Sequence, residues 1–164
     1  MIMSHKGGCY MKALLLLSVA FMLGTTVAQA ETFTIAGKSQ SVTQVGAPGP
    51  MGKPVVAGSV KIETDITWAS GSKEHSTGDC VGWSAPPASG FTSQGICNSA
   101  SADGKSSLVF SCLSTNDKNT ENDCWGRLTY LDGKNKDKTA TVSWHGKQNA
   151  DGKGGTAVGA GNMN

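Results

Sequence analysis

Polar and apolar residues alternate along residues 59–68 of the chain. One set of alternate positions holds Val60, Ile62, Thr64, Ile66 and Trp68. Polar side chains hold every position between them. Since successive side chains of a β-strand point to opposite faces, this period of two residues predicts a strand with one buried face and one wet face.

The alternation recurs in two later segments. Leu108, Phe110 and Cys112 share one face of a short segment, and the even-numbered positions of residues 139–145 form another apolar face. The odd-numbered positions of that second segment are polar. We therefore predict a further strand in each segment, again with an inner face and an outer face.

Turn signals and composition extend this pattern over the chain after residue 30. Asp103-Gly104 and Asp132-Gly133 can supply the positive φ that tight hairpins need. Glycine is abundant, with 22 residues in all, and no segment has the apolar spacing of a helix. We predict eight strands, near residues 32–36, 57–69, 74–84, 93–101, 106–113, 123–131, 138–146 and 155–162.

This run of short strands predicts an all-β fold. The first expectation is a small antiparallel eight-stranded barrel of the calycin-like type, and the alternative is a two-layer β-sandwich. Both architectures hide the sheet edges that would otherwise pair with other chains.

An apolar segment near the start of the chain is typical of a secretory signal peptide. Lys12 precedes an apolar core at residues 13–23, and Ala28 and Ala30 hold the two positions that a signal peptidase reads. The apolar core is shorter than the roughly 20 residues of a membrane-spanning helix. We expect residues 1–30, an upstream extension and signal peptide, to be removed. Residues 31–164 then form one domain, periplasmic or secreted, without a membrane span.

Removal of this leader also changes the charge of the protein. Without Lys6 and Lys12, 12 basic residues remain against 12 acidic residues. A basic surface that binds nucleic acid by neutralising phosphates is therefore not expected.

The four cysteines that follow the leader indicate a disulfide framework. They are Cys80, Cys97, Cys112 and Cys124. An even number in an exported chain predicts two disulfides, and the absence of a C-x-x-C pair disfavours a zinc site. Three connectivities are possible from the count alone.

Strand order favours one of these connectivities. Pairing of Cys80 with Cys97, and of Cys112 with Cys124, would join neighbouring strands across single connections. A bond between Cys97 and Cys112 is the main rival, because those strands also form a hairpin. If Asp103-Gly104 is a two-residue turn, Cys97 faces Phe110 and Cys112 is only its diagonal neighbour, which disfavours the rival.

Several motifs together resemble a known family. The order is G-D-C-V-G-W at 78–83, Q-G-I-C at 94–97, T-V-S-W-H-G at 141–146 and G-G-T-A-V-G-A-G at 154–161. It resembles small exported bacterial proteins that are similar to the allene oxide cyclase barrel, a calycin-like fold. The resemblance implies an eight-stranded barrel that holds a hydrophobic molecule, or an enzyme that steers ring closure of a reactive epoxide. The hairpin at 131–138 departs from the glycine-rich hairpin usual in such barrels.

Candidate chemical groups are few. His75 is expected in a polar turn and His145 on the wet face of its strand, so a shared catalytic or metal role is not expected. The chain has no G-x-S-x-G motif, and the polar segment 114–123 lacks the pattern of a calcium loop. We predict no catalytic residue, no metal and no cofactor.

The four tryptophans are the remaining candidates. Trp68 and Trp144 continue apolar faces and are expected in the core, whereas Trp83 and Trp125 are expected to pack against the disulfides. The functional interpretation places Trp68, Phe110 and Trp144 around a small apolar ligand, since such barrels have room for side chains or one small ligand.

The sequence therefore predicts an exported, disulfide-stabilised barrel that binds a small apolar ligand or an envelope partner without catalysis. The alternatives are an isomerase resembling allene oxide cyclase, and a surface interaction protein with a filled core. An open apolar interior would favour binding or cyclisation, and a filled interior would favour the surface role.

Overall fold

The computed structural model describes residues 30–49, 54–86 and 89–164, and the predicted signal peptide lies outside this part of the chain except for Ala30. Its strands are β1 (Thr32–Ala47), β2 (Val55–Trp68), β3 (Lys73–Ser84), β4 (Ser93–Ser101), β5 (Gly104–Ser114), β6 (Glu121–Tyr130), β7 (Thr139–Gln148) and β8 (Gly154–Met163). Each strand pairs antiparallel with the next, and β8 pairs with β1. This closed barrel confirms the predicted fold class and excludes the two-layer sandwich.

Strand β1 is the one element whose length the sequence does not predict. It extends to Ala47, whereas the expected strand ends near residue 36. Beyond Ile35 its inward positions hold Gly37, Ser39 and Ser41, which line the barrel interior but carry no apolar signal. The pairing of β1 with β2 continues to Ala47, with a register shift between Ser41 and Thr43.

One end of the barrel is filled by a compact apolar cluster. This packed end holds the connections β2–β3, β4–β5 and β6–β7, and its buried residues are Phe33, Ile66, Trp68, Tyr130, Ala140, Val142 and Met163. The rings of Phe33 and Trp68 lie 4.9 Å apart between centroids. Trp68 is therefore in the core, as its alternating face predicts.

Both predicted disulfides are present. Cys80 is bonded to Cys97, and Cys112 to Cys124. Each pair occupies directly opposite positions on neighbouring strands, with Cα atoms 3.9 and 4.0 Å apart. All four cysteines are buried and point into the barrel.

The hairpin between β4 and β5 has a different register from the expected one. Ser101 pairs with Gly104, so the turn consists of Ala102 and Asp103. Gly104 has a φ of 135°, and the side chain of Asp132 accepts a hydrogen bond from the Lys105 amide at 2.5 Å. Asp132 belongs to the β6–β7 connection, so this contact could not be predicted from the Asp103-Gly104 dipeptide alone.

The corrected register changes the reason for the disulfide pairing and leaves the pairing itself intact. Cys97 lies opposite Leu108, and Cys112 lies opposite Ser93. The expectation that Cys97 faces Phe110 is therefore wrong. Cys112 is four residues along β5 from Leu108, the residue opposite Cys97. The two cysteines are therefore farther apart than the expected register places them, and a bond between Cys97 and Cys112 is disfavoured more strongly.

We predict that Trp68→Ala lowers the free energy of unfolding by about 3–5 kcal/mol, as for other large deletions in a core. The reason is that the indole is 5% exposed and packs on Phe33. Trp125→Ala is the matched control, because that indole is 44% exposed. Urea unfolding of the two variants measures the difference. Equal stability would contradict the assignment of Trp68 to the packed end.

Candidate functional site

The barrel interior beyond the packed end is an open cavity. Its volume is about 410 Å³, within the range of about 300–1,000 Å³ typical of small-molecule sites. Apolar side chains that line it include Ile35, Val60, Ile62, Leu108, Phe110 and Trp144. The cavity extends towards the end opposite the packed end, where Asn119, Asn122 and Gln148 border it. We call that region the mouth.

Small inward residues explain how an eight-stranded barrel contains this much space. Gly95 leaves room for the ring of Phe110: a Cβ atom on Gly95 would lie 2.5 Å from Phe110 Cζ. The same phenyl ring meets Trp144 edge to face, with centroids 5.6 Å apart. The glycine thus positions an aromatic pair in the cavity wall.

The structure brings together two of the three predicted ligand-binding residues. Phe110 and Trp144 both line the cavity and contact each other. Trp68 lies in the packed end beside Phe33 and does not border the cavity. Trp68 is too close to the packed end to border the cavity, because it is the last residue of β2.

A group of inward polar residues was missed by the sequence argument. We call it the polar corner, and its members are Glu74, Ser76, Ser99, Ser101, Ser106 and Tyr130. They are neighbours across β3–β6, since Ser76 lies opposite Ser101, and Ser106 lies opposite both Ser99 and Tyr130. Period-two alternation applied to polar residues would have found them, because they continue the inward faces of Cys80, Cys97 and Leu108.

The polar corner contains two buried atoms without a hydrogen-bond partner in the described part of the chain. They are Glu74 Oε2 and the hydroxyl of Tyr130. The other carboxylate oxygen, Oε1, accepts a hydrogen bond from the hydroxyl of Ser101. Burial raises the pKa of Tyr130 well above its usual value, and the carboxylates of Glu74 and Asp103 add to the shift. The phenol therefore stays protonated at physiological pH.

The two histidines within the described residues, His75 and His145, lie on the outside of the barrel and far apart in strand order. His75 is in β3 and not in a turn, which corrects the expectation, and its Nδ1 lies 2.8 Å from Asp65 Oδ1. His145 is on the outer face of β7, as predicted, with Nδ1 2.8 Å from Asp123 Oδ1. Each imidazole faces the aspartate directly opposite on the preceding strand. These are separate, exposed cross-strand pairs.

Trp83 and Trp125 do not pack against the disulfides. They are 42% and 44% exposed, because both stand at outward positions while the cysteines point inward. Val81, Ile96 and Val109 lie opposite one another on the same outer surface. We call the surface formed by these five residues the outer apolar face.

Comparison of the chain with protein-family models and with curated proteins finds no match. Within residues 30–49, 54–86 and 89–164, no helix has the length and hydropathy to cross a membrane. In the same ranges no group of three His, Cys, Asp or Glu side chains is arranged to hold a metal ion. The cavity and the outer apolar face are the candidate functional features of the barrel.

We predict that Gly95→Ala destabilises the barrel by about 1–3 kcal/mol, the usual range for overpacking. The added Cβ would lie 2.5 Å from Phe110 Cζ and 2.6 Å from the carbonyl oxygen of Val81. Gly146→Ala is the control, since its nearest neighbours would be 3.9 Å away. Thermal unfolding compares them. A Gly95→Ala variant as stable as the control would show that Phe110 does not require the glycine.

Proposed function

We propose that this barrel binds one small apolar ligand in its interior and does not transform it. The observation that carries the proposal is the cavity of about 410 Å³ with an aliphatic and aromatic lining. Pockets of this size with mostly apolar walls and a few polar groups are the usual form of small-molecule sites. Phe110 and Trp144 supply a rigid aromatic wall against which an apolar molecule can pack.

The proposed compartment is the periplasm or the outside of the cell. Two disulfides fit an oxidising location, because thiols are kept reduced in the cytosol. The signal peptide proposed for residues 1–30 supports the same location from the sequence. A carrier or sensor of apolar molecules in the envelope is the role that combines these properties.

A second candidate function uses the outside of the barrel. The outer apolar face exposes two indoles and three aliphatic side chains on adjacent strands. A second copy of the chain is the partner we propose for it. Residues that lie opposite one another form a row across β3–β6, with Trp83 at one end and Trp125 at the other. A two-fold axis through the middle of this row would place Trp83 of each copy over Trp125 of the other copy. The open cavity favours the interior role as the main one.

The resemblance to allene oxide cyclase barrels supports a third proposal, in which the cavity holds a reactive apolar epoxide and steers its ring closure. The shape of the cavity suits an inert ligand and a reactive one equally. Product formation from an added fatty-acid epoxide, dependent on Phe110 and Trp144, would distinguish this enzyme from a binding protein.

We predict that a neutral fluorescent apolar probe, N-phenylnaphthylamine, binds the wild-type protein. Trp144→Ala should weaken its binding about tenfold or more, because a lost aromatic wall removes about 1.5 kcal/mol or more of contact energy. Trp125→Ala should leave the affinity unchanged, because that indole is on the outer apolar face. Fluorescence titration measures both.

The same pair of variants separates the two binding candidates. If Trp125→Ala weakens probe binding and Trp144→Ala does not, the apolar site is the outer face and the interior proposal fails. Sedimentation of the wild type and of Trp125→Ala then shows whether the indole mediates contact between two copies of the chain.

We predict that the exported protein begins at Glu31, after cleavage behind Ala30. Intact-mass measurement of protein recovered from the periplasm or medium, before and after reduction, gives both the start of the chain and the number of disulfides. Recovery of an unprocessed chain with free thiols from the cytoplasm would contradict the proposed compartment.

A further inference from the structure

We infer that the polar corner binds a hydrogen-bond donor carried by the apolar ligand, so that the natural ligand is an amphiphile with a hydroxyl or protonated amine group. This inference rests on the proposed interior binding function and specifies its ligand class. It starts from the asymmetry of the cavity wall, which is polar across β3–β6 near the packed end and apolar around Phe110 and Trp144.

The first argument is hydrogen bonding. Glu74 lines the cavity, yet only one of its two carboxylate oxygens has a partner among the described residues, the hydroxyl of Ser101. Leaving a buried polar group unpaired costs about 1–3 kcal/mol, and more for a charged one. The hydroxyl of Tyr130, a residue that is 4% exposed, is also unpaired. A ligand donor that reaches this end of the cavity would satisfy the carboxylate oxygen.

The second argument is charge. No Lys, Arg or His in the described residues forms an ion pair with Glu74. Lys134, which is close enough to interact electrostatically with Glu74, is paired with Asp103 instead. An anionic head group at the polar corner would therefore meet a carboxylate that has no ion-pair partner, whereas an ammonium or hydroxyl group would be attracted to it.

The cations do not point into the cavity. Lys38 and Lys147 border it, but they stand at outward, exposed positions of β1 and β7, and Lys147 Nζ is 3.3 Å from Glu121 Oε1. Among the charged residues that line the cavity, Glu74 is the one at an inward position, and its carboxylate favours a donor. An amphiphile would bind with its donor group inside and its apolar body along Phe110 and Trp144.

The test uses three probes of equal chain length: decylammonium, decanol and decanoate. Calorimetric titration of the wild type should give tighter binding of decylammonium and decanol than of decanoate, by about tenfold or more for a hydrogen bond to a charged group. Glu74→Gln keeps the side-chain size and removes the charge. It should reduce the preference for decylammonium over decanoate by about tenfold.

The matched control is Glu63→Gln, which makes the same change at an exposed position on the outer side of β2. It should leave the order of the three affinities unchanged. Tyr130→Phe is a second variant that keeps the buried ring and removes only the hydroxyl. The Tyr130 hydroxyl can donate to the oxygen of decanol but not to an ammonium group, so this variant should weaken decanol and leave decylammonium unchanged. It tests whether the head group lies at the polar corner if Glu74→Gln fails to fold.

The outcomes separate this inference from the function on which it rests. If N-phenylnaphthylamine binds in the cavity but decanoate binds as tightly as decylammonium, or if the preference survives in Glu74→Gln and decanol binds Tyr130→Phe as tightly as the wild type, the polar corner does not bind the donor. Interior binding would then still hold. If neither the fluorescent probe nor any of the three amphiphiles binds, the proposed function fails together with this inference.

Discussion

The pairing of β1 with β8 is the constraint on which the rest of this structure depends. It joins Thr32–Gln40 to Gly154–Asn162 and turns a meander of eight strands into a closed wall. Without it, both terminal strands would present unpaired amide and carbonyl groups to solvent. The interior would also be an open sheet face rather than a cavity. Small residues make the seam possible, since Gly161 leaves the space that the ring of Phe33 occupies.

The disulfides act on the opposite side of the barrel from that seam. They join β3 to β4 and β5 to β6, the strands that also carry the polar corner. Because the bonded cysteines point inward, compact sulfur atoms occupy positions where large side chains would otherwise fill the interior. The disulfides therefore stabilise these strands covalently and leave the cavity open beside them.

Regular alternation made much of this fold predictable. The apolar faces of β2 and β7 identify both the strands and their inward residues, and strand order identifies the partners of the four cysteines. Prediction failed where the inward residues are small or polar, as in β1 after Ile35 and in the polar corner, because Gly and Ser give the same signal inside a barrel as in a loop. It also failed for Trp83 and Trp125, because their proximity in sequence to Cys80 and Cys124 was given more weight than their odd offset from these inward cysteines, which places both indoles on the outside.

The local character of the disulfides has a consequence for how the chain folds. Each bond spans a short loop, with sequence separations of 17 and 12 residues, so each can form within a single hairpin. The seam instead brings Thr32 to Asn162, across almost the whole domain. Loop-closure entropy makes such long-range pairing the slow part of folding. Oxidation can therefore precede closure of the barrel, and each cysteine would be bonded to its native partner before the interior is enclosed.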